Sequence, residues 1–416
     1  MNRFLTDAKI IQAELGEIRR DLHRHPETGM TETRTARIVA DYLKGLGLSV
    51  REGVGGTGVV GLLYGQRKTR TVAFRADMDA LPMTDRTAGE HRSRIDGKAH
   101  ACGHDGHTAM LLGAAALLRR GAETLEGNVK FIFQPSEERL PGGALPMIRD
   151  GVLDTPRVDG LFTCHVHPGV PQGSVMVTPG YCTVSSAGFT LEVIGKGGHV
   201  ALPHQAVDPI VMAADCINAA QTIISRRTDP LDSIILAFGT IHGGTANNII
   251  PDTVTLEGTI RALSPKQRDR VVAMFRETVE ATARKHGGDF RLDVRMEYPS
   301  VYNALGMVSI LREAAAKVVG ASRVICTERP FMGGEDVAYF HERIPGAFWF
   351  MGTGNPDMGF DHPLHSPLFD FDETVLSLGA AIHAQCAADF LSATVVPRVP
   401  GAETRRQGCE ASRNRP

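Results

Sequence analysis

The sequence predicts an α/β protein: a mostly parallel sheet flanked by helices, interrupted by an inserted α+β domain of ferredoxin-like order. Three observations carry that expectation. Short β-rich apolar runs at 71–76, 129–133 and 160–164 are separated by stretches with helical spacing, the alternation of a parallel sheet. Each run ends in acid or histidine: Asp77-Met78-Asp79, Gln134-Pro135-Ser136-Glu137-Glu138, and His165-Val166-His167-Pro168. Open α/β sheets bind ligands at the carboxyl ends of their strands, and a purely structural role would scatter such residues along the strands. From about residue 189 the pattern changes to β-α-β-β-α-β, the order of a split βαβ sandwich.

In chain order, residues 7–24 place Ile11, Leu15, Ile18 and Leu22 on one helical face, and His25-Pro26 ends the helix. Residues 32–46 repeat the pattern with Ala36, Val39 and Leu43, closed by Gly45 and Gly47. The strand at 71–76 follows. The cluster at 100–107 is then expected in a loop feeding a buried helix at 109–118. Beyond the strands at 129–133 and 160–164, the insert reads as strand 189–194, glycine loop 195–199, helix 207–225, strands 233–242 and 253–263, helix 265–286 and strand 290–298. The first domain resumes with helix 305–319, strand 347–351, the His365-Ser366-Pro367 loop and a helix from Phe371 to about 390.

A chain of 416 residues exceeds one ordinary core, so two domains are expected. The first spans 1–187 and 299–394, with the insert at 188–298 and an Arg-, Pro- and Gly-rich disordered tail at 395–416. Small residues at 185–188 and the crossing at Pro299 are expected hinges. Hydrophobic content of 42% and charge of 22% fit a soluble globular protein, and a net charge of -2 favours neither nucleic acid nor an anionic membrane. The start lacks a signal-peptide pattern, and no apolar run looks long enough to span a membrane. Seven scattered cysteines are not a disulfide framework and fit a reducing cytoplasm.

The stretch His100-Ala101-Cys102-Gly103-His104-Asp105-Gly106-His107 gathers thiol and imidazoles of the kind that hold a borderline-soft divalent ion. Cys102, His104, Glu138, His165 and His365 are the candidate ligands, each at a loop or strand end. One open zinc site needs three, so five suit two metals sharing a bridge, with Cys102 the candidate bridge among protein groups. Adjacent residues of an extended segment point opposite ways, so Glu137 and Glu138 divide into one base and one ligand unless a local turn intervenes. Glu138 is taken as the ligand. Glu137 is taken as the group that accepts a proton from water and later hands it to the leaving amine. Asp77 or Asp79 is expected to orient a ligand histidine from behind. His100 and His107 are weaker ligand candidates, and His23 and His25 read as polar surface.

With these residues in view, the chain resembles the two-metal amidohydrolases that include aminoacylases, hippurate hydrolase, plant auxin-conjugate hydrolases and the glutamate-releasing carboxypeptidase. The resemblance spans roughly residues 10–390. It rests on Arg19-Arg20-Asp21-Leu22-His23-Arg24-His25-Pro26-Glu27, Arg75-Ala76-Asp77-Met78-Asp79-Ala80-Leu81-Pro82, Cys102-Gly103-His104-Asp105-Gly106-His107, Gln134-Pro135-Ser136-Glu137-Glu138, Gly197-Gly198-His199 and Gly258-Thr259-Ile260-Arg261. The central cysteine is similar to the hippurate and auxin-conjugate branch. In that branch Cys102, His104, Glu138, His165 and His365 match ligand positions and Glu137 matches the catalytic acid/base.

The resemblance implies an N-acyl amino acid amidohydrolase using two divalent ions, Mn²⁺, Zn²⁺ or Co²⁺, with thiolate softness favouring zinc. It implies that the insert is a lid and dimerisation module, hence a homodimer, and that His199 meets the substrate carbonyl. Asn248 and Arg261 are candidates for the substrate carboxylate, Arg261 through a bidentate fork. Arg139-Leu140-Pro141 departs from the glycine-rich sequence usual in the family at that point. The alternatives are a dipeptidase or carboxypeptidase with the same machinery, and a non-catalytic metal-binding scaffold.

Overall fold

The strand expected at 71–76 runs Thr71–Asp77, and every residue in it is buried. It pairs in parallel with Asn128–Gln134 on one side and Gly160–Pro171 on the other, and the latter pairs in parallel with Gly346–Gly354. These four strands read as near-continuous apolar runs because both faces of the sheet are covered. The computed structural model describes residues 2–67 and 70–393, so the tail expected at 395–416 lies outside it.

The full sheet has eight strands, in the order Ser49–Val54, Gly58–Leu63, Asn128–Gln134, Thr71–Asp77, Gly160–Pro171, Gly346–Gly354, Val175–Val177, Val324–Cys326. The outer pairings include antiparallel ones, so the sheet is mixed with a parallel centre. The hairpin Ser49–Val54 with Gly58–Leu63 was not foreseen from sequence. Its first strand is largely exposed and polar, so no apolar run marks it.

Beside the sheet, His104–Arg119 is buried along nearly its whole length, including Met110, Leu111, Leu112, Leu117 and Leu118. Burying each such side chain stabilises the fold by roughly 1.5–3 kcal/mol. The helix starts at His104, five residues before the run that announced it, so His104, Asp105 and His107 lie in its first turns instead of a loop. The helix expected at 7–24 is two, Arg3–Ile10 and Gln12–Arg24, with the break at Ile11, whose N–H turns back to the Ala8 and Lys9 carbonyls. The last helix, Val375–Ser392, is long and apolar enough to cross a membrane (mean hydropathy 1.2), against the sequence expectation, yet 72% of it is buried inside the protein as a core element.

The chain divides into two compact units: Met1–Cys182 with Val301–Arg329 and Asp336–Pro416, and Thr183–Ser300 with Pro330–Glu335. The second unit has a four-stranded antiparallel sheet in the order Ile234–Gly243, Thr253–Ala262, Ser185–Ile194, Asp289–Met296. Helices Pro209–Arg226 and Pro265–His286 share its core with Phe189, Leu191, Leu256 and Phe275. This is the ferredoxin-like arrangement. Ser264 and Gln267 form a capping box at the start of the second helix. Residues 185–188, expected to be a hinge, are instead buried rungs of the central strand, with Ser186 opposite Arg261 and Ala187 opposite Ile260. Their small side chains serve close packing, and the unit boundary falls before them, at Thr183.

Candidate metal centre

Cys102 and His104 converge because of the residue between them. Gly103 has φ 84, the left-handed region, and caps the buried helix. A Cβ there would lie 2.4 Å from Val166 Cγ2, so only glycine lets this turn press against the neighbouring strand. Cys102 Sγ then lies 3.5 Å from His165 Nε2, and Cys102, His104 and His165 form one group of mutually close ligand atoms. Cys102, Glu138 and His365 form another, so the thiol belongs to both. Glu138 Oε1 is 3.0 Å from His365 Nε2 and 3.9 Å from His104 Nε2.

The histidines are oriented by what lies behind them. Asp79 can only accept, so His104 donates from Nδ1 to its Oδ1 at 3.3 Å, and in the neutral ring the lone pair of His104 rests on Nε2. That Nε2 is buried and makes no hydrogen bond. His165 donates from Nδ1 to the Val166 carbonyl at 2.7 Å, which leaves its Nε2 lone pair facing Cys102. Burial pushes His165 well below its ordinary value, which keeps the neutral, ligating form. Burial lowers His104 too, but Asp77, Asp79 and Glu138 outweigh it and lift the group to about 10. Burial and then Glu138 and Glu137 push the Cys102 thiol up. A divalent cation satisfies both demands, because it supplies the positive charge the carboxylates favour and deprotonates a coordinated thiol outright. The Nε2 without a hydrogen bond and the S, N and O donors therefore fit such an ion.

A local turn settles how adjacent glutamates face one site. Ser136 has φ 54, uncommon for a residue with a side chain. Its N–H donates to Glu32 Oε1 at 2.8 Å, and Glu32 is in turn held by Thr57 Oγ1 at 2.6 Å. The next two N–H groups, of Glu137 and Glu138, donate to the two oxygens of Asp79, each at 3.0 Å. The chain thus coils around Asp79, and Glu137, Glu138 and His104 form a third close group. His365 is also left-handed, at φ 64, with its N–H on the Ala101 carbonyl at 2.8 Å. Backbone strain of this kind clusters at functional sites.

Among the weaker candidates, His107 is fully used: Nδ1 donates to Asp77 at 2.6 Å and Nε2 accepts the Val166 N–H at 2.9 Å, so no lone pair remains for a metal. Asp77 thereby stands behind His107, and Asp79 behind His104. His100 is buried without a side-chain hydrogen bond, and burial lowers it to about 3. His23, expected at the surface, is buried in an ion network with Asp105 at 2.8 Å and Arg19 donating to the same Asp105 oxygen at 2.8 Å. His25 is partly buried and donates to the Asp21 carbonyl at 2.9 Å. Sequence reasoning missed Glu32, which holds Ser136. In the sequence, residue 32 reads only as the start of the helix expected at 32–46, and nothing in periodicity points to a buried carboxylate.

The remaining candidates belong to the second unit. His199 is exposed on the short strand Gly198–His199, opposite Ile249, and its Nδ1 accepts the Ala201 N–H at 3.1 Å. Asn248 is exposed immediately beside Ile249, and its carbonyl accepts from Val200 at 3.4 Å. Arg261 lies on another strand, between Ser186 and Ile235, and donates from Nη1 to the Met332 carbonyl at 2.8 Å.

Known proteins with this architecture narrow the chemistry. Residues 73–389 match peptidase family M20/M25/M40. The thermostable carboxypeptidase 1 of Saccharolobus solfataricus is 37% identical over 393 residues, covering 94% of this chain and 98% of that protein. The N-acetyl-L-cysteine deacetylase of Bacillus subtilis is 38% identical over 370 residues, 88% of this chain and 85% of its own length. A Bacillus subtilis structure described as a dinuclear metal-binding peptidase of the M20 family superposes with a TM-score of 0.80 at 31% identity, covering 92% of this chain and 99% of that one.

Proposed function

The chain belongs to peptidase family M20/M25/M40, and from that premise we propose that it is a metal-dependent amidohydrolase of N-acyl amino acids, releasing a carboxylic acid and a free amino acid. The observation that carries the reading is the meeting of Cys102, His104, Glu138, His165 and His365 around one place, with Glu137 beside them. Cys102, Glu138 and His365 would hold one divalent ion and Cys102, His104 and His165 the other, with Cys102 the shared ligand. Ions so held lower the pKa of water and polarise an amide carbonyl. Thiolate ligation favours Zn²⁺, with Mn²⁺ and Co²⁺ as the alternatives.

The chain's own residues do the rest. Asp79 keeps His104 in the ligating tautomer and turns Glu137 toward the site. Glu137 takes the proton of the attacking water and passes it to the leaving nitrogen. His199 donates a hydrogen bond to the oxyanion, and Asn248 and Arg261 bind the substrate carboxylate. Because the second unit supplies these three, it acts as a lid that completes the site, in the same chain or in a partner. Exposed Val200, Leu202, Val211, Ile241 and Ile249 of that unit support a homodimer. The six described cysteines are not joined in disulfides, which supports a reducing, cytoplasmic setting.

A second reading, cleavage of peptides by the same machinery, is favoured by the 37% identity to a carboxypeptidase. Metal analysis coupled to turnover of N-acetyl and N-benzoyl amino acids against dipeptides separates the two. Chelation should abolish activity, and Mn²⁺, Co²⁺ or Zn²⁺ should restore it. Full activity in metal-free protein would overturn both readings.

A further inference from the structure

Below the ligands lies a buried polar group that the functional reading does not use. Asp336 is 0% exposed and its carboxylate accepts from three directions. Gln134 Nε2 donates to Oδ1 and Oδ2, both at 2.8 Å. The Ala144 N–H donates to Oδ2 at 3.0 Å. Arg75 Nη2 donates to Oδ1 at 2.9 Å.

Gln134 and Ala144 are the two ends of the loop 135–143, which carries Glu137 and Glu138. One carboxylate therefore ties both ends of that loop. The loop is shaped to receive it: Gly142 has φ +85, and a Cβ there would lie 2.2 Å from Asp336 Oδ2. Arg75 extends the tie sideways. Its Nε donates to Gln134 Oε1 at 2.9 Å and its Nη1 to Asp77 Oδ2 at 2.7 Å. Asp77 then holds His107 at 2.6 Å, and His107 holds the Val166 N–H at 2.9 Å, next to His165. Every side chain in this chain of contacts is buried.

We propose that Asp336 is a positioning residue for hydrolysis, fixing through Gln134, Ala144 and Arg75 the loop that bears Glu137 and Glu138 and the backing of His165. The proposal rests on the functional reading above for its effect on turnover, but not for its effect on metal geometry. A purely structural ion pair needs no convergence on both ends of one loop. A charged carboxylate accepting charge-assisted bonds gives that convergence the stiffness a reactive geometry requires.

The test uses the full chain as wild type, Asp336→Asn and Gln134→Met, each loaded with Co²⁺. Asparagine keeps the shape but offers one acceptor oxygen, so either the Ala144 N–H or Arg75 Nη2 loses its acceptor and faces the new amide N–H instead. Asp336→Asn should alter the visible absorption of bound Co²⁺, which reports ligand geometry. It should also lower kcat by roughly 10- to 100-fold with KM nearly unchanged. Gln134→Met, which frees the strand end of the loop and the Arg75 Nε–H, should move both readouts in the same direction. It carries the test if Asp336→Asn does not fold. Wild-type cobalt spectra and wild-type kcat in the folded variants, with only a lower melting temperature, would overturn the proposal. If wild-type protein turns over no N-acyl amino acid, the functional reading fails, and the cobalt spectra still decide the positioning role.

Discussion

Replacing Asp79 by asparagine tests the organisation of the site at its most connected residue. Asp79 is buried, and its two oxygens accept the N–H groups of Glu137 and Glu138 and the Nδ1–H of His104. Asparagine is nearly isosteric but presents one acceptor and one donor. With its amide group toward Glu138, that N–H faces another donor. With the amide flipped, the N–H of Glu137 and the Nδ1 edge of His104 face the donor instead. His104 then satisfies it only by moving its proton to Nε2, the atom that should ligate. Either arrangement strands at least one buried N–H, at about 1–3 kcal/mol. Loss of a carboxylate behind a ligand histidine typically weakens metal affinity by about 10- to 100-fold, or roughly 1.4–2.7 kcal/mol. Titration of metal-free Asp79→Asn against a chromophoric chelator should show that weakening, and kcat/KM should fall at least as far. An Asp79→Asn protein with wild-type metal affinity and turnover would refute the reasoning.

Glu137→Gln keeps the side-chain shape but removes the proton acceptor, so kcat should fall by about 10²–10⁴-fold while metal content stays near wild type; near-normal turnover removes Glu137 from the mechanism. Glu138→Gln should instead lose metal occupancy, measured by elemental analysis. His199→Ala and Arg261→Ala should retain their metal and hydrolyse poorly, Arg261→Ala mainly through a raised KM for substrates with a free carboxylate; normal hydrolysis by both would make the second unit structural only. Burial pushes His23 down, but Asp105 at 2.8 Å outweighs it and holds the folded imidazole above its ordinary value. Its stabilising contact is therefore fully present below about pH 6.5 and lost as pH rises through the folded value. Thermal unfolding against pH should show this loss in wild type and a flatter profile in His23→Gln, and identical slopes would refute it.

Much of this protein was legible in the order of its residues, because the parallel strands are buried on both faces and so announce themselves as apolar runs. The runs at 71–76, 129–133 and 160–164 became Thr71–Asp77, Asn128–Gln134 and Gly160–Pro171. The exposed, polar Ser49–Val54 left no such mark. The ferredoxin-like unit was equally readable, since its helices and half-covered strands carry strong periodicity. Hinge residues were misjudged at 185–188 because small side chains signal close packing as readily as flexibility, and composition does not separate the two.

By itself the sequence determined the donor inventory: a thiol, imidazoles and paired carboxylates at strand ends, which already confined the chemistry to a divalent-metal site. Tertiary structure decided which of those donors keep a lone pair. His104 and His107 lie on the same helix and are alike in sequence, yet Asp79 leaves Nε2 of one unbonded while Asp77 and the Val166 N–H occupy both nitrogens of the other. It also decided that Glu137 and Glu138 share one site, through the left-handed Ser136 and the coil around Asp79. The physical reason is that a ligand is defined by where its proton and its backbone are held. Those are set by partners as distant along the chain as Glu32 from Ser136 and Asp336 from Gln134, which no local pattern records.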